Sequence, residues 1–220
     1  MAAPASWTTE LFGPKVLTKP NTTGVPTSSA FGGKKLVALY FSASWCPPCK
    51  RFTPILIDFY EACKDELEIV FISSDRDDRS FGDYFAKMPW LAMIPAYMNS
   101  EQNARQRKMA DAFKIQGIPT LVVLDAKTGH FVVANGRDAV MQVSSDESRR
   151  ALFLSWLSKE SVPLSQAIFG DEDTGGLLWK ALTYVAKRPQ FILAVFYLVR
   201  RFLRQMATLG KEKISDETEL

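Results

Sequence analysis

With 220 residues, 47% of them hydrophobic, the chain can bury one core of ordinary size and still have residues left over. Its net charge of +3 excludes a nucleic-acid reading based on total charge. Three cysteines are too few for a secreted disulfide scaffold and point to a reducing compartment, and a single histidine excludes a His-rich metal site.

Residues 1–9 read as a disordered lead, with neither the basic start nor the long apolar stretch of a secretory signal. Val16-Leu17-Thr18 reads as a short strand. Pro20, Asn21, Gly24 and Pro26 then supply turn chemistry for a hairpin-like excursion that ends at Gly32-Gly33. Residues 35–42 form a nearly unbroken apolar run, the pattern of a strand buried on both faces.

Pro47 suits the first turn of a helix, where its missing N–H is not needed. That helix is predicted over 47–66, with Phe52, Ile55, Leu56, Phe59 and Cys63 on one face and a kink at Pro54. Residues 67–73 read as a second buried strand, 80–87 as a short helix, and 88–96, with Pro89 and Pro95, as an apolar loop. A helix over 101–113 precedes two strands, 120–124 and 131–134, joined by a turn at Lys127-Thr128-Gly129. A helix over 149–159 closes the domain. This order predicts an α/β fold with a central mixed sheet flanked by helices.

The chemistry concentrates in Trp45-Cys46-Pro47-Pro48-Cys49. A spacing of three at a helix start brings the two Cα atoms to roughly 5 Å, within the disulfide range. Free N–H groups at the helix start favour a thiolate at Cys46, whose pKa should fall from about 8.5 toward about 7. Cys46 is then the attacking sulfur and Cys49 the resolving one, a dithiol–disulfide exchange site. A strand feeding directly into such a pair favours redox work over zinc or an inert pair. Zinc needs four ligands, and only Cys63 and His130 remain; Cys63 lies about 21 Å farther along the same helix. That distance also separates Cys63 from the dithiol, leaving a small core residue or a regulatory thiol as its roles. His130 reads as a surface strand residue. No metal and no cofactor are expected.

The run Tyr40-Phe41-Ser42-Ala43-Ser44-Trp45-Cys46-Pro47-Pro48-Cys49-Lys50, followed by Phe52-Thr53-Pro54, resembles the tryparedoxin/nucleoredoxin branch of the thioredoxin superfamily. Lys87-Met88-Pro89-Trp90-Leu91-Ala92 and Gly117-Ile118-Pro119-Thr120-Leu121 add to the match, which covers about residues 11–159. The resemblance implies a thioredoxin-like fold, a protein-disulfide reductase, and a cis proline at Pro119 that turns the Ile118 backbone toward substrate. Trp45, Pro47 and Pro48 would border the sulfur atoms. Thioredoxins at large carry a buried aspartate where Tyr40 stands. Where tryparedoxins tend to carry tryptophan and an acidic pair for docking a polyamine–glutathione reductant, this chain has Ser74-Asp75-Arg76, closer to nucleoredoxins.

Asp75 and Arg137 are candidate substrate contacts, with solvated loop charges as the alternative. Trp90 is a candidate for the docking rim or a cap on the core. The implied partners are disulfide-containing proteins such as peroxiredoxins, with a trypanothione-like low-molecular-weight dithiol or thioredoxin reductase as electron source. A redox-regulated adaptor of nucleoredoxin type is the alternative function; a peroxidase fits poorly, since that work needs a lone activated cysteine.

Residues 161–176, with Asp171-Glu172-Asp173, read as a linker. Residues 177–209 carry Lys180, Lys187, Arg188, Arg200, Arg201 and Arg204 with no acid, opposite a face of Leu178, Val185, Ile192, Phe196, Val199 and Leu203. This pattern suits a C-terminal helical extension on an anionic membrane surface or anchored in it. A full span would place Lys187 and Arg188 near its middle, at about 2.5–3.5 kcal/mol each. Docking on a partner or on the chain's own domain are the alternatives. The expected site is the cytosolic face of an organelle membrane, mitochondrial outer membrane or endoplasmic reticulum, or else the soluble cytoplasm. Residues 210–220 read as a polar tail.

Overall fold

A computed structural model describes residues 7–163. The C-terminal segment 177–209, the tail 210–220 and most of the predicted linker lie outside the described residues. Among the described residues, no helix is long and apolar enough to cross a membrane.

The two apolar runs form the centre of the sheet. Strands β3 (Leu36–Ser42) and β4 (Leu67–Ser73) are buried along their whole length and pair in parallel, from Leu36 opposite Leu67 to Ser42 opposite Ser73. Between them runs helix α3 (Pro47–Cys63), continuous through Pro54. Strand β6 (Thr120–Asp125) pairs antiparallel to β3, which sets the start of β6 beside the end of β3. Strand β7 (Phe131–Val133) follows β6 at one edge. At the other edge, β5 (Leu91–Met93) joins β4 in parallel, and β1 (Lys15–Leu17) pairs with β5 and with β2 (Val25–Pro26). The seven-stranded order is β2-β1-β5-β4-β3-β6-β7.

Side chains alternate across this sheet, so it has two cores. Leu36, Ala38, Tyr40, Ile69 and Phe71 face α3, α4 (Asp78–Phe85) and α7 (Asp146–Leu157). Val37, Leu39, Phe41, Val70 and Ile72 face α1 (Trp7–Phe12) and the end of α5 (Ser100–Ala112). Short helices α2 (Thr27–Ala30) and α6 (Arg137–Met141) complete the fold. The expected α/β class with a mixed central sheet is what the chain adopts.

Three local expectations need correction. Residues 7–9 belong to α1, whose Trp7 donates its indole N–H to the Ala126 carbonyl at 3.1 Å and packs on Phe31. The loop expected over 88–96 contains β5, because β4 and β1 supply hydrogen-bonding partners on both sides. Val162, inside the predicted linker, bridges Phe131 through two backbone hydrogen bonds of 2.8 and 2.9 Å.

One acid is buried in this framework. Glu68 on β4 is 7% exposed, takes hydrogen bonds from the Ile69 N–H and the Tyr60 hydroxyl, and lies 3.6 Å from the Lys34 ammonium. Burial raises its pKa, against the smaller opposing pull of Lys34. A carboxyl with a folded-state pKa above its unfolded value binds its proton more tightly in the folded protein. Its contribution is therefore full below the unfolded pKa and is lost as pH rises through the folded one. The expected result is a thermal midpoint for Glu68→Gln that gains on wild type as pH rises from 4 to 8. A constant difference across that range would exclude Glu68 as the source.

A dithiol site at the carboxyl ends of the central strands

The chain leaves β3 through Ala43-Ser44-Trp45 and enters α3 at Cys46, its N-cap, with Pro47 and Pro48 in the first turn. Cys46 and Cys49 form a disulfide with Cα atoms 5.2 Å apart. The Cys49 backbone N–H donates to Cys46 Sγ at 3.3 Å. That is a capping bond made by sulfur instead of oxygen. On reduction the same donor and the helix start stabilise a thiolate at this position. Cys46 keeps 4% of its surface exposed and Cys49 none, so an incoming disulfide meets Cys46 first.

Two neighbouring ends of the sheet close around the sulfur pair. From β6, the Ile118–Pro119 peptide bond is cis, and the Ile118 carbonyl oxygen lies 3.8 Å from Cys46 Sγ. Ile118 also packs on Ala43, Cys46 and Cys49. From β4, the Ser74 carbonyl accepts the Trp45 indole N–H at 3.2 Å. That bond holds an indole that is 57% exposed. Pro47 and Pro48 are exposed beside it, whereas Pro119 is buried. Trp45, Pro47, Pro48, Ile118 and Pro119 are therefore brought together around Cys46.

Arg137 begins α6 and stands on the same end of the molecule. Asn135 holds its loop, its Oδ1 accepting the Arg137 N–H at 3.2 Å, and the Gly136 N–H donates to the Leu121 carbonyl at 2.7 Å. Gly136 passes so close to Trp156 that a Cβ there would sit 3.0 Å from the ring. The guanidinium lies 3.7 Å from Asp138, and the side chain is one-third exposed.

Two expected contacts take other positions. Trp90 is 2% exposed and lies in the core, edge-on to Tyr40 and Tyr60 with ring centroids 6.1 and 5.6 Å away. It does not line a docking rim, since the following strand β5 turns the indole inward. Asp75 is 4% exposed and its oxygens are taken by Ser44 and Ser73, so it is not a free substrate contact.

Beside the Cys49 carbonyl is a set of hydroxyls of which the family resemblance marks only Tyr40, at the place of the thioredoxins' buried aspartate. Thr53 Oγ1 donates to the Cys49 carbonyl at 3.0 Å and lies 2.9 Å from the Tyr40 hydroxyl and 2.6 Å from the Tyr84 hydroxyl. Ser42 joins both tyrosines at 3.0 and 3.2 Å. Burial pushes the Tyr40 phenol far above its ordinary range, so it stays neutral. A neutral hydroxyl cluster thus fills the place behind the resolving sulfur. Thr53, four residues after Cys49 on the same helix, was the one member whose spacing pointed there. A groove lined by Ser44, Lys50, Thr53, Asp83, Tyr84 and Lys87 opens beside the cluster.

Cys63 is 1% exposed, and burial pushes its thiol up to about 11, the position of an inert core residue. Among the described residues no group of acids, histidine and cysteines forms a metal cluster.

A family model described as thioredoxin-like matches residues 33–131. Tryparedoxin from Trypanosoma brucei brucei is 41% identical over 110 residues, 49% of this chain and 73% of that protein. Probable nucleoredoxin 1 from Arabidopsis thaliana is 47% identical over 116 residues, 52% of this chain and 19% of that protein. The chain thus spans less than a fifth of that nucleoredoxin. A solved structure of tryparedoxin II complexed with glutathionylspermidine superimposes with a TM-score of 0.51 at 39% identity, covering 59% of this chain and 85% of that one. With the dithiol at the start of α3 and the cis proline beside it, the chain belongs to the thioredoxin-like family, in its tryparedoxin and nucleoredoxin branch.

Proposed function

We propose that this chain is a thiol–disulfide oxidoreductase that reduces protein disulfides through Cys46 and Cys49. The observation that carries the reading is the sulfur-capped helix: Cys46 is the less buried sulfur of the pair and accepts the Cys49 N–H. In the forward cycle the Cys46 thiolate attacks a substrate disulfide, forming a mixed disulfide and releasing one substrate thiolate. Cys49, deprotonated, then attacks Cys46 Sγ and releases the second. Two electrons pass from the dithiol to the substrate, and the Cys46–Cys49 disulfide awaits a reductant.

Disulfide-bearing proteins of peroxiredoxin type are the substrates we favour. A glutathione–polyamine dithiol is the favoured reductant, supported by likeness to the tryparedoxin solved with glutathionylspermidine. Thioredoxin reductase is the other electron source. The test is steady-state reduction of a protein disulfide with each donor in turn. Wild type should turn over with at least one donor and Cys46→Ser with none; equal rates for the two proteins would sink the proposal. An adaptor role is the second reading, favoured by the 47% identity to a nucleoredoxin. It predicts partner capture that follows oxidation state while turnover stays negligible.

We further propose that residues 177–209 attach the chain to the cytosolic face of an organelle membrane, on the strength of their basic, acid-free amphipathic pattern. If a chain ending at Asp171 pellets with membranes as the full chain does, the segment is not the anchor.

A further inference from the structure

We propose that Asp75 is a positioning residue for the dithiol, its buried carboxylate clamping the segment that carries Trp45 and Cys46 onto the end of β4. The placement follows from strand register. Ser42 is paired with Ser73 in the parallel β3–β4 ladder. Two residues beyond each lie Ser44 and Asp75, so the chain that leaves β3 for the redox helix passes directly beside the Asp75 side chain.

The contacts are complete on both oxygens. Asp75 Oδ1 accepts the Ser44 backbone N–H at 2.9 Å and the Ser44 hydroxyl at 2.7 Å. Oδ2 accepts the Ser73 hydroxyl at 2.8 Å, and the Asp75 N–H donates back to Ser73 Oγ at 2.9 Å. Two further bonds tie the same strand end: the Ser74 N–H to the Ser42 carbonyl at 2.9 Å, and Gln106 Nε2 to the Ser73 carbonyl at 2.9 Å. The Ser74 carbonyl in turn holds the Trp45 indole. Ser44 stands two residues before the nucleophile, so the clamp fixes both the approach to Cys46 and the orientation of Trp45.

The same carboxylate acts by charge. No cation pairs with Asp75 in a salt bridge among the described residues; the ionisable neighbours are Arg76 and Asp77 on its own loop, Asp78 at the start of α4, and Tyr97 packed against them. A negative group held against the segment that leads into Cys46 opposes the thiolate that the helix start favours. Geometry and charge can be separated by substitution. Asp75→Asn keeps an acceptor for both Ser44 donors and removes the charge. Asp75→Ala removes every acceptor and leaves a Ser44 N–H unpaired.

The proposal rests on the dithiol reading, but its test does not need a protein substrate. The full-length reduced protein is alkylated with iodoacetamide at a series of pH values, and modification of Cys46 is followed by mass. The pH of half-maximal rate should fall by at least half a unit in Asp75→Asn. In Asp75→Ala, uncharged like Asp75→Asn but without an acceptor for Ser44, the alkylation rate at fixed pH should fall at least fivefold below that of Asp75→Asn. An unchanged alkylation profile in Asp75→Asn overturns the charge role. An alkylation rate in a folded Asp75→Ala equal to that of Asp75→Asn overturns the clamp. Should the Ala variant fail to fold, Ser44→Ala, which keeps the charge and deletes the hydroxyl bond to Oδ1, takes its place: an alkylation rate below wild type is expected, and a wild-type rate overturns the clamp. A rise in KM for reductant or substrate with no change in alkylation would make Asp75 a binding contact, also overturning the proposal. If alkylation responds as expected while no protein disulfide is reduced, the clamp stands and the functional reading falls.

Discussion

Cys49→Ser should attack a substrate disulfide once and stop, leaving protein and substrate joined through Cys46. The first step uses only what Cys46 already has: its exposed edge, the helix start, and the backbone N–H of residue 49, which serine retains. The second step needs the sulfur of Cys49, which sits at 0% exposure three residues farther along the helix. Steady-state turnover should therefore fall by on the order of a thousandfold or more, as when one member of a catalytic pair is removed. The adduct should be visible on a non-reducing gel and dissolve with added thiol. Cys46→Ser should lose turnover as severely and yet form no adduct, because the sulfur it leaves behind is buried. The assigned direction of attack fails if Cys46→Ser traps partners as efficiently as Cys49→Ser, or if neither traps any.

Much of this site could be read before the fold was known, because its information is local. Pro47, a spacing of three between sulfurs and the apolar run before them fix strand, turn and helix within about fifteen residues of sequence. The central strands were legible for the same reason, as runs buried on both faces. What escaped was set by pairing across the chain. Leu91-Ala92-Met93 is too short, and too close to Pro89 and Pro95, to announce a strand; β4 and β1 make it one by offering ladders on both sides. Asp75 reads as a substrate contact or a solvated loop charge because aspartate usually faces water. Its partners lie on a segment 31 positions away, and only the parallel register of β3 and β4 brings them together. The hydroxyl cluster beside Cys49 is hidden similarly: Tyr40 and Ser42 alternate on β3, but only the fold brings them to Thr53 on α3 and Tyr84 on α4.

Trp90, read as rim or core, shows how two roles for one residue can be separated energetically. An exposed rim tryptophan and a core tryptophan predict opposite phenotypes on truncation. At the rim, Trp90→Ala would raise KM and leave stability nearly unchanged. In the core, it would empty a space between Tyr40, Tyr60 and the sheet, and large-to-small changes of this kind cost about 3–5 kcal/mol. We expect the second outcome, read as a lower denaturant midpoint with an unchanged slope. The Cys46 alkylation rate of the remaining folded protein should match wild type, since Trp90 touches neither sulfur in the set packed around the dithiol. Trp90→Phe sharpens the test. The indole N–H has no protein hydrogen-bond partner among the described residues, so phenylalanine gives up no bond made by the fold. It keeps an aromatic edge for both tyrosines and should recover more than half of the loss. A Phe variant as unstable as Ala would show that indole volume, and not the aromatic contacts, holds this part of the core together.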